Sequence, residues 1–168
     1  SGDIRDTEFM MKLLARSSSV VNLAALIAIP YSYTAGRSYF ETNTLGVLNI
    51  VEAIKGTDKR FIQISTSEVY GTPLTTPILE SNRIYPQSPY AASKAAADNA
   101  VIAYTNSFEL NSMIIRPFNT YGPRMNPNDG RVVSNFIVQA LKGEDIEKAL
   151  LVLERGLRVG GVILAAEQ

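Results

Sequence analysis

The chain has 168 residues, of which 46% are apolar and 19% are charged, a composition typical of a globular domain with its own core. Lysine and arginine together number 16, as do aspartate and glutamate, so the basic excess expected of a nucleic-acid-binding protein is missing. Cysteine and histidine do not occur, which excludes disulfides, thiolate or imidazole metal sites and histidine-based catalysis in this sequence. Catalysis would therefore depend on tyrosine, lysine, hydroxyl groups, carboxylates and a cofactor, and we expect no metal site.

Apolar runs along the chain are short. The longest run in the first half, residues 20–30, is too short to cross a bilayer. The sequence starts Ser-Gly-Asp and lacks the basic start and apolar core of a signal peptide. We therefore expect a cytoplasmic protein without membrane contact.

Helical and strand-like segments alternate along the chain. Apolar residues recur at helical spacing in some segments, whereas others are short, almost wholly apolar runs. The predicted helices cover residues 6–16, 38–55, 90–107 and 132–142, and the predicted strands cover residues 20–26, 60–65 and 112–117. This alternation predicts an α/β fold with a parallel sheet, and the apolar strands predict burial on both faces of that sheet. Residues 72–89 and 118–129 are predicted loops.

A tyrosine, a lysine and a run of hydroxyl groups form the candidate catalytic set. Tyr90 and Lys94 are four residues apart, which places them on one face of a predicted helix, where the ammonium would lower the pKa of the phenol. Ser65, Thr66 and Ser67 close the preceding strand, at the edge of a parallel sheet where ligands bind, and Glu68 follows them as a further acid or base.

Each of these features also has a structural interpretation. A tyrosine and a lysine four residues apart are common on exposed helices, and hydroxyl groups at a strand end often hydrogen-bond to their own turn. Their joint occurrence in this order, about two dozen residues apart, favours the catalytic interpretation.

Several longer motifs accompany this set. They are GDIRD (2–6), NLAAL (22–26), ETNTLGVLNIVEA (41–53), ISTSEVYG (64–71), SPYAASK (88–94) and RPFNTYGPR (116–124). In residues 1–146 the chain resembles the extended short-chain dehydrogenase/reductase superfamily, in its branch of NAD-dependent sugar-nucleotide epimerases and dehydratases. The resemblance implies a Rossmann-like, doubly wound parallel sheet in residues 1–146 and leaves residues 147–168 unassigned.

The resemblance also implies catalytic roles. Tyr90 would be the base at the 4-hydroxyl of the sugar, and Lys94 would lower the pKa of Tyr90 and hold the nicotinamide ribose. Thr66 would hydrogen-bond the 4-oxygen as it becomes a ketone. Glu68 would remove the proton at carbon 5 in a dehydratase, and Ser67 would face the substrate where many dTDP-glucose dehydratases carry an aspartate.

Further positions receive binding roles from the same resemblance. Asp3 and Ile4 would meet the adenine of NAD, or Asp3 could be a turn residue. Leu23, Ala24 and Ala25 would pass close to the pyrophosphate and ribose, with a core role for the alanines as the alternative. The remaining expected contacts are Asn43, Ser65 and Pro117 with the cofactor, and Asn119 and Arg124 with the nucleotide-sugar substrate. For Asn43 the alternative is a polar position on a helix face, and for Pro117 it is a strand stop.

One feature of the resembled family is not found in this sequence. The glycine-rich loop that holds the pyrophosphate at a helix N-terminus is absent, as are the first two strands of the family's sheet. Either the sequence is part of a longer one, or the protein is short, binds NAD poorly and has an open sheet edge. A homodimer, which we expect, could cover that edge.

Three functions remain open from the sequence. The first is a sugar-nucleotide 4,6-dehydratase, because residues 23–54 are most similar to such enzymes and Glu68 argues against simple 4-epimerisation. The second is a UDP-glucuronate decarboxylase, which residues 126–136 resemble, although SPYAASK differs from the decarboxylase pattern. The third is a non-catalytic α/β domain that only binds or assembles.

Overall fold

A computed structural model describes residues 2–120, 122–126 and 132–143 of the chain. The chain divides into two compact units, residues 1–117 and 118–168. The unassigned segment 147–168 lies outside the described residues, as does part of the predicted loop 118–129.

The first unit alternates helices and strands around a parallel sheet. Its elements are α1 (Thr7–Leu14), β1 (Ser19–Asn22), α2 (Ile29–Ser32), α3 (Gly36–Tyr39), a π-helical segment (Phe40–Leu45), α4 (Gly46–Ile54), β2 (Arg60–Ile64), a 3₁₀ helix (Ser67–Tyr70), α5 (Pro89–Phe108) and β3 (Ser112–Ile115). The three strands are parallel, with β2 in the centre. The α/β fold with a parallel sheet, predicted from the alternation, is confirmed.

The first strand ends earlier than the predicted 20–26. The side-chain oxygen of Asn22 accepts a hydrogen bond from the backbone N–H of Ala24 (3.1 Å), and this turn takes the chain out of the strand. Further on, the side chain of Asn43 bonds both backbone groups of Leu26, which are thereby satisfied outside the sheet. Residues 23–28 consequently form an irregular segment just beyond the carboxyl end of β1.

The hydrophobic core lies on one face of the sheet. Phe61 of β2 is fully buried and packs with apolar residues of α1, α4 and α5. On the opposite face, Val21 and Met113 are 54% and 58% exposed. The expectation that the strands are buried on both faces is therefore wrong for the described residues, because the core that packs on the sheet there covers the Phe61 side only.

The predicted helix 38–55 is continuous but not regular. A π-helical segment separates α3 from α4 and contains the buried Asn43. At the start of α4, Gly46 packs against Ile4 so closely that a Cβ atom there would lie 2.8 Å from a side-chain carbon of Ile4. The sequence pattern did not predict the short helix α2.

The N-terminus of α5 is capped by Ser88. Its hydroxyl accepts a hydrogen bond from the backbone N–H of Ala91 (3.0 Å), and Pro89 occupies the first turn, where a missing N–H costs nothing. This start lies one residue before the predicted one and places Tyr90 in the first turn of the helix.

The second unit contains helix α6 (Val132–Lys142). Gly143 follows it with a left-handed φ of 68°, the usual way in which a helix ends. Both the helix and its glycine stop agree with the sequence prediction.

Two glycines with left-handed backbone provide a test of the turn after β2. A Cβ atom at Gly71 would overlap the carbonyl oxygen of Tyr85, whereas one at Gly56 would meet nothing within 4 Å. We expect Gly56→Ala to lower the free energy of unfolding by about 1 kcal/mol through backbone strain alone. Gly71→Ala adds a backbone clash, and we expect a loss of about 3 kcal/mol or more. Urea unfolding of both variants measures the difference, and equal losses would contradict the close approach at Gly71.

Candidate active site

Hydroxyl and carboxyl groups collect just beyond the carboxyl end of β2. The N–H of Ser67 donates to the carbonyl of Pro117, which follows β3, at 3.0 Å. The hydroxyl oxygen of Thr66 accepts from the N–H of Glu68 (3.2 Å) and thereby caps the 3₁₀ helix. Because Thr66 accepts this bond, its own hydroxyl proton stays available for a ligand oxygen.

Lys94 joins α5 to the same strand end. The residue as a whole is 4% exposed. Its ammonium donates to the carbonyl of Ile64, the last residue of β2, at 2.5 Å. An ammonium carries three protons, and within the described part of the chain only Ile64 receives one of them. Burial lowers the pKa of Lys94, and the nearby Asp98 carboxylate opposes this effect.

Tyr90 lies one helical turn before Lys94, on the same face of α5. Its residue exposure is 8%, and its ring meets that of Tyr39 edge to face, with centroids 6.3 Å apart. Tyr90 and Lys94 therefore share one face of α5, and Lys94 contacts the end of β2.

Glu68 is partly withdrawn from water in the 3₁₀ helix. Burial raises the pKa of its carboxyl above the ordinary value. A carboxylate with a raised pKa is a stronger base than an exposed one, which suits removal of a proton from carbon.

Asn43 is buried in the π-helical segment and binds the chain that follows β1. It is 1% exposed, and its amide bonds the N–H and the carbonyl of Leu26 and the hydroxyl of Ser93 at 2.8 to 3.0 Å. Through these bonds it fixes the segment 23–26 against α5. Leu23 is 75% exposed and Ala24 is also exposed, so the alternative that Ala24 is a core residue is wrong.

Asp3 and Ile4 lie at the amino end of α1. The carboxylate of Asp3 accepts from the backbone and the guanidinium of Arg5, and the side-chain hydrogen bond lowers the pKa of Asp3 to about 2. Ile4 is buried against Gly46. A hollow of about 600 Å³ beside Asp3 is lined by Arg5, Asp6, Thr7, Glu41, Leu45, Leu48 and Asn49. Neither Tyr90 nor Lys94 lines this hollow.

The sequence pattern did not identify one buried carboxylate on α5, that of Asp98. Asp98, one turn after Lys94, accepts hydrogen bonds from the hydroxyl of Ser65 and from Arg116, each at 2.9 Å. The hydroxyl proton of Ser65 is used in this way and its backbone N–H bonds the carbonyl of Ile115, so towards a cofactor Ser65 could act only as an acceptor. The four-residue spacing from Lys94 is the one signal in the sequence that could have drawn attention to Asp98.

Two predicted substrate residues belong to the second unit. Asn119 and Arg124 are exposed there, and Arg124 has a left-handed φ of 70°. Pro117, by contrast, belongs to the first unit and lies two residues after the end of β3.

The described residues hold neither a metal-binding group of side chains nor a membrane-spanning helix. They contain no group of three or more carboxylate side chains that could hold a metal ion. None of the helices within them combines the length and apolarity needed to cross a membrane.

Comparison with known proteins identifies the family. Residues 1–154 match the GDP-mannose 4,6 dehydratase family. The chain is 36% identical over 146 residues to a low-salt glycan biosynthesis protein of Haloferax volcanii, covering 86% of this chain and 46% of that protein. It is 44% identical over 119 residues to UDP-glucuronic acid decarboxylase 6 of Arabidopsis thaliana, covering 68% of this chain and 34% of that protein.

A solved structure agrees with this assignment. The dTDP-glucose 4,6-dehydratase of Streptomyces venezuelae, solved with NAD bound, superposes with a TM-score of 0.74 at 33% identity, over 84% of this chain and 44% of that one. The chain thus spans at most about half the length of these relatives. The Rossmann-like fold implied by the motifs is confirmed, and the chain belongs to the GDP-mannose 4,6 dehydratase family, among the sugar-nucleotide-modifying members of the extended short-chain dehydrogenase/reductase superfamily.

Proposed function

We propose that the protein is an NAD-dependent sugar-nucleotide 4,6-dehydratase. The observation that carries the proposal is the position of Glu68, a partly buried carboxyl with a raised pKa beside Thr66, at the strand end that also receives Lys94. Oxidation at carbon 4 needs only a base of the Tyr90 type, whereas water elimination needs a second base near carbon 5. Glu68 is suited to be that second base.

The residues of this edge fit NAD. The ammonium of Lys94 has protons to donate to ribose hydroxyls, and the exposed Leu23 and Ala24 leave room for a cofactor backbone beyond β1. Bound NAD would accept the hydride that leaves carbon 4 and return it to carbon 6. The binding roles of Asp3, Ile4, Ala25, Asn43, Ser65, Pro117, Asn119 and Arg124 stay predictions, as do the homodimer and the cytoplasmic location.

The first step is oxidation at carbon 4. The phenol oxygen of Tyr90 takes the proton of the 4-hydroxyl as the hydride leaves the same carbon, so the C–O bond becomes a carbonyl. Lys94 stabilises the phenolate that precedes this transfer. Thr66 donates its hydroxyl proton to the 4-oxygen and holds the sugar in place.

The second step is loss of water across carbons 5 and 6. The new ketone makes the proton at carbon 5 acidic, and the carboxylate of Glu68 removes it. The electron pair forms a double bond between carbons 5 and 6, and the 6-hydroxyl leaves as water with a proton from solvent, balanced by release to solvent of the proton that Tyr90 took up. Hydride addition at carbon 6 and delivery to carbon 5 of a proton from Glu68, which has exchanged with solvent, complete a 4-keto-6-deoxy sugar.

A second candidate is decarboxylation of UDP-glucuronate. The 44% identity to UDP-glucuronic acid decarboxylase 6 over 119 residues favours it. Decarboxylation would use the same oxidation at carbon 4 by Tyr90, Lys94 and Thr66, after which the carboxyl at carbon 5 is lost as carbon dioxide. A 4-epimerase would use this first step too, but it has no use for a base at Glu68.

Substitution of Tyr90 tests the proposed chemistry. We expect the purified protein to form a 4-keto-6-deoxy product from one member of a panel of UDP-, GDP- and dTDP-sugars. Tyr90→Phe should abolish turnover, because general-base catalysis contributes about 10² to 10⁴-fold and no other base is placed at the 4-hydroxyl. Product is measured by mass spectrometry, and circular dichroism checks that the fold is kept.

Tyr33→Phe is the matched control, since Tyr33 is 48% exposed and outside the site; its turnover should be unchanged. Release of carbon dioxide from UDP-glucuronate would replace the dehydratase by the decarboxylase. A protein that neither carries NAD on purification nor binds it would refute both and leave the non-catalytic domain.

The burial of Glu68 also predicts a pH-dependent gain in stability on its removal. Because the pKa of Glu68 is raised in the folded state, the folded protein binds this proton more tightly than the unfolded protein does. The protonated side chain therefore stabilises the fold at pH values below its ordinary pKa of about 4.3. This stabilisation is lost as the pH rises through the folded pKa. We therefore expect Glu68→Gln to unfold at a higher temperature than the wild type at neutral pH. The gain should shrink as the pH falls towards 4, and it should be absent for the exposed Glu80→Gln. A gain from Glu68→Gln that does not depend on pH would contradict the buried carboxylate.

A further inference from the structure

The guanidinium of Arg116 connects α5 with the 3₁₀ helix that follows β2. Nε of Arg116 donates to the carboxylate of Asp98 on α5 at 2.9 Å, and its Nη1 donates to the hydroxyl of Tyr70 in the 3₁₀ helix at 2.8 Å. The first contact reaches the helix of Tyr90 and Lys94, and the second reaches the turn of Thr66 and Glu68. The guanidinium also lies 5.1 Å from the centroid of the Tyr70 ring, within the range of a cation–π contact.

This ion pair is buried. The side chains of Arg116 and Asp98 are 16% and 2% exposed, whereas every other ion pair in the described residues has a partner at least 42% exposed. Such a pair pays a desolvation cost that its mutual attraction often fails to recover. The cost is larger here because Oδ1 of Asp98, within the described residues, accepts no hydrogen bond. Stability alone is therefore a weak reason for the pair.

The geometry gives a better reason. Asp98 lies one turn beyond Lys94 and two turns beyond Tyr90, so all three share one helix face. The same carboxylate holds the hydroxyl of Ser65, the residue directly before Thr66. The N–H donors of a planar guanidinium point in fixed directions. The guanidinium therefore sets the distance between the groups that it binds.

We propose that Arg116, anchored by Asp98, is a positioning residue that holds the Tyr70 turn, and with it Glu68, in register with Tyr90 and Lys94. This inference rests on the proposed dehydratase reaction, in which Tyr90 serves the oxidation at carbon 4 and Glu68 serves the elimination. Its specific consequence is that the link to Tyr70 matters for elimination more than for oxidation.

Tyr70→Phe tests this consequence, since it removes one hydroxyl and leaves the ring. We expect the elimination rate, followed by deuterium uptake from solvent at carbon 5, to fall about tenfold, because small misplacements of a catalytic group have large effects. Oxidation at carbon 4, followed by NADH absorbance in a single turnover, should change less than about twofold if Tyr90 keeps its position. Asp98→Asn should slow both steps, and the double variant should lose less than the product of the two single effects, because both act through Arg116.

A readout without substrate separates this inference from the proposed function. The N–H of Gly71 donates to the carbonyl of Glu68 at 3.1 Å and closes the turn, so its hydrogen exchange reports whether the turn is held. We expect faster exchange at Gly71 in Tyr70→Phe, measured in the free protein. The matched control is Tyr104→Phe, which removes a hydroxyl bond to Glu52 elsewhere on α5 and should leave exchange at Gly71 and both rates unchanged.

The outcomes are distinct. If the wild type makes no 4-keto-6-deoxy sugar, the proposed function fails, and exchange at Gly71 still decides whether Arg116 holds the turn. Unchanged exchange at Gly71 in Tyr70→Phe overturns the inference whatever the activity. Faster exchange with both rates reduced by the same factor overturns the positioning role, because a general loss of folded protein would have that effect.

Discussion

The hydrogen bond from the ammonium of Lys94 to the carbonyl of Ile64 is the contact on which the site depends. A buried ammonium must find acceptors, since an unpaired charge in the interior is costly. The acceptor it finds is the last carbonyl of the central strand, which ties α5 to the carboxyl end of β2. Tyr90 lies one turn before Lys94 on α5, and the capped turn of Thr66 and Glu68 follows Ile64 in the chain, so this bond connects the two elements that carry them.

Buried amide side chains form a second set of polar contacts near the carboxyl ends of β1 and β2. Asn22 bonds Gln63 across the ends of β1 and β2 at 2.9 Å, and both side chains are buried. Asn43 then fixes the irregular segment that follows β1 against the hydroxyl of Ser93 on α5. These buried amides fix the chain just beyond the carboxyl ends of β1 and β2.

Much of the fold was predictable because it depends on local patterns. The alternation of apolar runs and helical spacing predicted the parallel strands, and the glycine after Lys142 predicted the end of α6. The tyrosine and lysine four residues apart were found for the same reason. Local patterns do not determine which residues become buried. The features that the sequence did not predict are for this reason ones that depend on burial. The one-sided sheet and the buried pair of Asp98 and Arg116 arise from contacts between residues far apart in the chain. The path of the chain after β1 depends on the side chain of Asn43, 17 residues beyond Leu26.

In the proposed reaction, oxidation at carbon 4 is a step that decarboxylases and epimerases would share, so the roles proposed for Tyr90, Lys94 and Thr66 do not distinguish among the three. The distinction depends on what happens to the ketone, and in the proposed reaction it depends on Glu68. The most direct measurement is therefore to follow the hydrogen at carbon 4. With a nucleotide sugar deuterated at carbon 4, we expect the deuterium in the methyl group at carbon 6 of a 4-keto-6-deoxy product. Deuterium that returns to carbon 4, or product without carbon 6, would contradict the assignment of Glu68 as the base for water elimination.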